Sequence, residues 1–391
     1  MISYHEATKL IESLSINIRE TLMPTKNCIG FYLSRDLFSP MDSPSFNQSA
    51  MDGYAIKFSK SKNYTVVGES KAGLAKKYNI KQGEALRVFT GAYISEDIDC
   101  VVMQEKVSLS NRTIKLNENP KKNQNIRFKG EQIKKGDLIL KKGSKINLGS
   151  IGYIMSLGIS DIYVSKKPSI SIIVTGDELV SNGKQIELGQ IYESNSVMIK
   201  NCLIKEGINN IKIFKTKDNL ELISKRIKKE ITKSDIIILS GGISVGDYDF
   251  VRNALKQNKI KQIFYKVKQK PGKPIWFGKK NSQFAIALPG NPGSTLTCLF
   301  LYLLPLIKKI QGANSIHLNK VRLMINQDYS NHTEKQIFLK GKVSNEKVHV
   351  LSNQSSAKLS SFSICDTLIC IPENSNKILK NQKVDCILLP N

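Results

Sequence analysis

The sequence predicts a multidomain protein of mixed α/β and β architecture. We expect a central three-layer α/β domain with a mostly parallel sheet, β-rich N-terminal domains and a small C-terminal β-barrel-like domain. At 391 residues the chain is too long for a single hydrophobic core. From Pro168 to about residue 315, strand-like apolar runs alternate with helical periodicity, which is typical of βαβ units. On either side of that region, short alternating segments are separated by Gly, Pro, Asn and Ser, which favours β structure.

The N-terminal region begins with helical spacing across residues 3–22, where Ser3 and Glu6 are placed to form a capping box. The texture changes after Pro24 to short strands and turns that continue to about residue 148. The predicted strands there are 64–67, 85–89, 100–103 and 112–116, and a short helix is predicted at 149–158.

The central region supplies the alternation itself. Predicted strands are 169–174, 209–215, 235–240 and 284–288, and predicted helices are 195–206, 218–231, a segment that begins near Phe250, and a buried helix at 296–307. After residue 315 we predict strands at 321–324, 336–343, 348–351 and 367–371, which indicate a small barrel or sandwich.

Composition limits the choice of partners. The net charge of +26 is compatible with nucleic-acid or membrane-surface binding, but no dense basic run with interleaved aromatic residues occurs. We therefore interpret the lysines as solvated and expect neither a nucleic-acid nor a membrane partner. Seven cysteines without a C-x-x-C pair favour a reducing cytoplasm over a disulfide framework or a zinc site.

Glycine-rich turns follow two of the predicted central strands. Gly241, Gly242 and Gly246 come after the strand at 235–240, and Pro289, Gly290, Asn291, Pro292 and Ser294 come after the strand at 284–288. Strands that end in such turns place backbone N–H groups and helix N-termini at one edge of a parallel sheet, where they bind anions. The alternative is that the glycines serve chain reversal only.

Carboxylates and lysines accompany these turns. Asp247 and Asp249 suggest a divalent metal beside a phosphate, or else cap the helix that begins near Phe250. Asp177, Glu178 and Asp218 are either site ligands or acids that cap or favour the first turn of a helix. Lys266, Lys270 and Lys273 flank or lie in a Pro-Gly turn and favour anion binding over simple solvation.

The motifs, taken in order, resemble the MoeA-type molybdopterin molybdenumtransferases, which are related to the C-terminal domain of gephyrin. The resemblance covers almost the whole chain. It is carried by Ser49–Ala55, Phe89–Ala92 with Val101–Glu105, Gly130-Glu131, Thr175–Leu179, Gly189–Tyr192 with Asn195, Ser240–Gly246, Lys270–Pro274 and Leu288–Pro292.

The resemblance implies an N-terminal half at residues 1–165, in which an elongated linker domain carries an inserted β-rich domain at roughly 43–140. It further implies a central molybdopterin-binding domain at 166–314 and a C-terminal β domain at 315–391. A homodimer is implied, with each site shared between protomers, as is possible contact with the adenylyltransferase and with molybdoenzyme acceptors.

The activity implied is Mg²⁺-dependent insertion of molybdate into adenylylated molybdopterin, with release of AMP. Carried over by motif, the catalytic residues are Asp52, Thr90, Glu178, Asp218, Asp249, Lys266 and Lys270. Substrate binding is assigned to Gly241, Gly242, Ser244, Gly246, Lys273, Pro289, Gly290, Asn291, Pro292 and Ser294, and metal binding to Asp249, Asp247 and Glu178. Two alternatives stay open: the preceding adenylyl transfer to molybdopterin, and a scaffold that binds pterin without catalysis.

Overall fold

The structure is a computed structural model that describes residues 1–74, 78–243 and 250–390. It has the predicted fold class: sheets of short strands in the N-terminal half, a central α/β domain with a mostly parallel sheet, and a C-terminal barrel.

The N-terminal half is built from short strands. In chain order its elements are α1 (Tyr4–Glu12), β1 (Glu20–Pro24), β2 (Leu37–Phe38), β3 (Gln48–Ser49), β4 (Gly53–Ile56), β5 (Asn63–Ser70), β6 (Glu84–Val88), β7 (Cys100–Met103), β8 (Val107–Ser110), β9 (Thr113–Leu116), β10 (Ile126–Arg127), β11 (Leu138–Leu140), α2 (Leu148–Ser156) and β12 (Asp161–Ser165). Strands in the order β7-β4-β6-β5-β9-β8 form the sheet of the inserted domain. The pairs β1–β12 and β2–β11 join the chain before the insertion to the chain after it.

The first helix is shorter than its periodicity predicts. The capping box is present, since the Ser3 hydroxyl accepts from Glu6 N at 3.1 Å, but α1 ends at Glu12 rather than near residue 22. Residues 20–24 instead pair antiparallel with β12, in a contact that local spacing does not reveal. The buried face of α1, Ala7 and Ile11, packs into the core of the central domain.

The central domain contains β13 (Ile170–Thr175), β14 (Leu179–Val180), β15 (Ile191–Tyr192), α3 (Asn195–Lys205), β16 (Ile211–Thr216), α4 (Leu220–Glu230), β17 (Ile236–Ser240), α5 (Phe250–Gln257), β18 (Lys261–Tyr265), β19 (Gln269–Lys270), β20 (Trp276–Lys280), β21 (Gln283–Leu288), α6 (Pro292–Cys298) and α7 (Leu304–Ile310). Its sheet has the order β16-β13-β17-β21-β20-β18. The first four strands run parallel, β20 pairs antiparallel with β21, and β18 pairs antiparallel with β20.

Strand β17 shows why this domain has three layers. Ile236 and Ile238 belong to the core shared with α3 and with the helical segment 292–310. Ile237 and Leu239 belong to the core shared with α4 and α5. Because successive side chains point to opposite faces, a strand that is apolar at every position must be covered on both sides.

One helical segment has the length and apolar composition of a membrane span. It runs from Pro292 to Ile310 through a π-helical stretch at Leu299–Leu303, and 72% of its most apolar window is buried inside the protein. Its apolar side chains are therefore accounted for by the central core.

The C-terminal region contains β22 (Lys320–Ile325), β23 (Tyr329–Ser330), β24 (Gln336–Ser344), β25 (Lys347–Val350), β26 (Thr367–Ile371), β27 (Lys377–Ile378) and β28 (Lys383–Leu388). Strands β24-β25-β22-β28-β26 form a ring that closes by pairing β26 with β24, so the fold is a barrel and not a sandwich. The two-residue strand β19, from the central domain, adds to β24 in parallel.

Candidate active site

A cavity of about 1100 Å³ lies between the carboxyl edge of the central sheet and the C-terminal barrel. Strands β13, β17 and β21 end together there, because Val174 pairs with Ser240 and Ser240 with Leu288. The central-domain residues that line it are Thr175, Glu178, Leu179, Ile191–Asn195, Asp218, Ser240–Ile243, Gln269–Pro274, Pro289–Pro292 and Ser294. The sheet therefore brings both predicted turns to one edge, as open α/β sheets do at their binding sites.

The turn after β17 requires glycine at two positions. Gly241 has φ of +94°, and a methyl group added there would lie 2.3 Å from Thr175 O. At Gly242, with φ of +61°, an added methyl group would lie 2.8 Å from a methyl carbon of Val251. The backbone thus approaches β13 and α5 too closely for any side chain. Ser244, Gly246, Asp247 and Asp249 lie outside the described residues.

Three described acidic residues line the cavity, Glu178, Glu193 and Asp218. The Glu193 carboxylate accepts hydrogen bonds from Ser196 N at 2.8 Å and from the Ser196 hydroxyl at 2.6 Å, at the start of α3. Asp218 Oδ1 accepts a hydrogen bond from the Thr175 hydroxyl, which fixes it against the end of β13. Asp218 does not cap a helix, because Asn219 caps α4 by accepting from Leu222 N at 3.0 Å. Glu178 does not cap a helix either, because a strand follows it. The capping interpretation of both residues is therefore wrong.

The Lys270–Pro274 turn forms another wall, with Lys270 and Lys273 on the lining. Gln269 supports the turn from below, since its Nε2 donates to Pro271 O at 2.9 Å and its Oε1 accepts from the Tyr302 hydroxyl. Lys266 is not among the lining residues, and its ammonium lies 4.8 Å from the centre of the Tyr265 ring.

The turn after β21 is held by its own helix and by the barrel. The Thr295 hydroxyl donates to Pro289 O at 2.6 Å, and Gly293 N donates to Ser356 O at 2.8 Å. Asn291 precedes α6 and donates from Nδ2 to the Ser356 hydroxyl at 3.1 Å. Ser294 lines the cavity but does not cap the helix, contrary to the sequence-based prediction.

The barrel supplies a wall that the sequence did not predict. Its lining residues are Tyr329, Lys335, Ile337, Phe338, Leu339 and Gln354–Ala357. The pairing of Gln269 with Gln336, and of Lys270 with Ile337, brings this wall against the lysine turn. No local signal in the sequence marks Lys335, because its position depends on that long-range pairing.

Lys340 fixes the barrel loop at 353–358. Its buried ammonium donates to Asn353 O at 2.7 Å, Ser355 O at 3.2 Å and Lys358 O at 3.3 Å. Burial lowers the pKa of Lys340, but three carbonyl acceptors partly replace its lost hydration.

Asp52 and Thr90 lie together in the inserted domain and not on this cavity. Asp52 Oδ1 accepts from Thr90 N at 2.8 Å and from the Thr90 hydroxyl at 2.9 Å. These hydrogen bonds, the one from the backbone N–H first, lower the pKa of Asp52 and keep it ionised.

Comparison with known proteins identifies the family. Residues 2–158 match the model described as "MoeA N-terminal region (domain I and II)", and residues 171–309 match "Probable molybdopterin binding domain". The chain is 37% identical over 310 residues to a protein of Haemophilus influenzae named "Molybdopterin molybdenumtransferase", covering 78% of this chain and 76% of that protein. This chain belongs to the MoeA family of molybdopterin molybdenumtransferases.

A second member of that name, from Staphylococcus epidermidis, is 31% identical over 338 residues and aligns over 84% of this chain and 80% of its own length. The crystal structure of the molybdopterin biosynthesis MoeA protein from Pyrococcus horikoshii OT3 superimposes with a TM-score of 0.86 at 26% identity, over 100% of both chains. The fold and the transferase class predicted from the sequence are thereby confirmed.

Proposed function

We propose that this MoeA-family protein inserts molybdenum from molybdate into adenylylated molybdopterin and releases AMP. The observation that carries the proposal is the unequal charge of the cavity walls. Lys270, Lys273 and Lys335 line the cavity where the lysine turn pairs with the barrel, and Glu178 and Asp218 follow the carboxyl ends of central strands. Such a cavity suits a ligand that carries anionic groups at one end and hydrogen-bond donors at the other.

The lysines suit the oxyanions of this reaction. Molybdate and the phosphoanhydride of the adenylylated substrate are both multiply charged, and ammonium groups at a partly enclosed site neutralise such charge. We expect the turns after β17 and β21 to add backbone N–H groups at the sheet edge. Together these groups hold the anionic parts of both substrates close to one another, which favours their reaction.

The carboxylates fit a magnesium ion. Mg²⁺ is bound through one or two protein carboxylates together with substrate phosphates, and the Thr175 hydroxyl adjoins Asp218 at the same edge. The described ranges contain no group of three His, Cys, Asp or Glu side chains placed to hold a metal. Because Mg²⁺ needs only one or two protein carboxylates, we propose Glu178 and Asp218 as its described ligands. Asp247 and Asp249 remain predicted ligands outside those ranges. The ion would neutralise the phosphoanhydride as AMP departs.

The Asp52–Thr90 pair completes the site in our proposal, as a contribution from the partner protomer of a homodimer. What supports this is that Asp52 and Thr90 are held together by two hydrogen bonds but do not line the cavity of their own chain. The cytoplasmic location, and the contacts with the adenylyltransferase and with acceptor molybdoenzymes, stay predictions.

Molybdate-dependent release of AMP tests the proposal. Purified protein is incubated anaerobically with adenylylated molybdopterin, with and without molybdate, Mg²⁺ and EDTA, and AMP is quantified by chromatography. We expect AMP only when molybdate and Mg²⁺ are both present, and we expect Asp218→Asn to lower the rate about a hundredfold.

Two other outcomes would redirect the assignment. Formation of adenylylated molybdopterin from ATP would favour the adenylyl transfer step. Binding of molybdopterin by folded protein, without any turnover, would favour the scaffold.

A further inference from the structure

Asn195, the first residue of α3, lies between two of the turns that form the cavity edge. Its Nδ2 donates to the Ser240 hydroxyl oxygen at 3.0 Å and to Gly290 O at 2.8 Å. A backbone carbonyl can only accept, so the bond to Gly290 O fixes which end of the amide is the nitrogen. The side chain therefore ties the end of β17 to the turn after β21.

The other end of the same amide has no protein partner. Asn195 Oδ1 is buried and makes no hydrogen bond with any described residue. Three other buried side-chain atoms in the described ranges share this state, those of Ser70, Ser165 and Gln311, and none of these residues lines the cavity. A buried acceptor without a donor destabilises the protein. Asn195 lines the cavity while its Oδ1 is covered by neighbouring atoms, so a ligand group can donate to this atom after a small shift of the side chain or of the adjoining turn.

The chemistry of the atom restricts that ligand group. A carbonyl oxygen repels an oxyanion, so Oδ1 is unsuited to molybdate or to a phosphate oxygen, both of which the lysine wall attracts. It suits a neutral N–H group. A pterin ring carries ring N–H and amino groups of this kind, at the end of the molecule away from its phosphate.

We propose that Asn195 determines how the organic substrate is oriented, with Oδ1 accepting a hydrogen bond from an N–H group of the pterin ring. The anionic end of the substrate then faces Lys270, Lys273 and Lys335. This inference rests on the proposed function, since it assigns a recognition group within that site.

Equilibrium binding separates this role from a structural one. The dissociation constants of molybdopterin and of molybdate are measured anaerobically for the wild-type protein and for Asn195→Ala. At neutral pH molybdate carries neither N–H nor O–H groups, so it reports on the anionic side of the cavity alone. We expect Asn195→Ala to weaken molybdopterin binding about tenfold, the loss of one buried hydrogen bond, and to leave molybdate binding unchanged.

Asn258 provides a matched control. Its Nδ2 donates to Ser224 O at 3.0 Å, to the Ser224 hydroxyl at 3.0 Å and to Ala254 O at 2.8 Å, and it does not line the cavity. Asn258→Ala also removes a buried amide that links two segments. We expect it to lower the melting temperature and to leave both dissociation constants at their wild-type values.

The remaining outcomes each decide a separate point. Equal molybdopterin affinity in folded Asn195→Ala and wild-type protein would overturn the inference and leave the proposed function standing. Equal losses of molybdopterin and molybdate affinity would also overturn it, because Asn195 would then only shape the cavity. If the wild-type protein failed to bind molybdopterin, the proposed function itself would be wrong.

Discussion

Asp52 illustrates how a single neighbour sets the state of a carboxylate. Thr90 donates to Asp52 Oδ1 from its backbone N–H and from its hydroxyl. Both bonds stabilise the ionised form, so the pKa of Asp52 is lowered. Because the folded pKa lies below the unfolded one, this contribution to stability is present above the unfolded pKa. It is lost as the pH falls through the folded pKa.

We predict that Thr90→Val raises the pKa of Asp52, because the hydroxyl donor is lost while the backbone donor remains. Carbon-13 NMR titration of the carboxyl group measures the change. Asp42 serves as the internal reference, since its pKa is lowered chiefly by the backbone N–H of Lys135. An unchanged Asp52 titration in the variant would show that the hydroxyl contributes nothing.

Lys340 does not line the cavity, but it holds in place the loop at 353–358, whose residues 354–357 do. We predict that Lys340→Met destabilises the protein by about 2 kcal/mol, because three carbonyl oxygens lose a charged donor. The Michaelis constant for molybdate should rise as well, because the loop at 353–358 lines the cavity.

Lys342 lies on the same strand with an exposed side chain and is the control. Lys342→Met should change the free energy of unfolding by less than about 0.5 kcal/mol. Urea unfolding of both variants decides the matter, and equal losses would mean that the three hydrogen bonds of Lys340 add no stability.

For single residues, the sequence indicates which side chains belong to the site more reliably than which residues those side chains contact. Asp218 and Glu178 were assigned to the site by motif, and both line the cavity. Whether Asp218 or Asn219 capped the helix depended on a difference of one residue, which local propensity cannot resolve. Lys335 carried no signal, because strand pairing across domains places it.

Among the elements, the Lys270–Pro274 turn depends on the helical segment beneath it. Gly272 has φ of +89°, and a methyl group added there would lie 2.4 Å from Cys298 Sγ. Cys298 is fully buried, and burial raises the pKa of its thiol, so it behaves as an apolar packing group. The lysine turn thus rests directly on the apolar core.

We predict that Gly272→Ala lowers the free energy of unfolding by about 3 kcal/mol, from backbone strain and overpacking together. Gly83 separates the two causes, because its φ is +83° and nothing lies within 4 Å of an added methyl group. Gly83→Ala should cost about 1 kcal/mol, for backbone strain alone. Chemical denaturation measures the free energy of unfolding of both variants. Equal losses would show that the contact with Cys298 adds no destabilisation to the backbone strain.

Periodicity predicted the central elements well and the first helix poorly. The predicted strand at 235–240 is β17, and the predicted helix at 195–206 is α3 within one residue. These elements agree because a sheet covered on both faces imposes continuous apolar runs. Residues 20–24 follow a different rule, since β1 forms only by pairing with β12, more than a hundred residues away.

At the scale of the whole molecule, the proposed site is divided between two regions that one chain does not bring together. The cavity belongs to the central domain and the barrel, and the Asp52–Thr90 pair belongs to the inserted domain. In the homodimer that we propose, each Asp52–Thr90 pair would lie at the cavity of the other protomer.

Mixed dimers test this division. We predict that Asp52→Ala and Asp218→Asn proteins each retain no more than about a hundredth of the wild-type rate. Unfolding and refolding them together should restore about a quarter of that rate, since half of the dimers would contain one intact site. Molybdate-dependent AMP release measures the recovery, with each variant refolded alone as the control. Absence of recovery, with mixed dimers demonstrated by differential tagging, would place both residues in the site of a single chain.

The small strand β19 also matters for how such a protein can be divided. Gln269 and Lys270 belong to the central domain, yet they pair with Gln336 and Ile337 at the start of barrel strand β24. If residues 315–391 were exchanged between relatives, by recombination or in a chimaeric protein, the barrel residues that pair with the start of the Lys270–Pro274 turn would therefore change. The domain boundary near residue 315 therefore does not divide the chain into one part that carries the cavity and one part that does not.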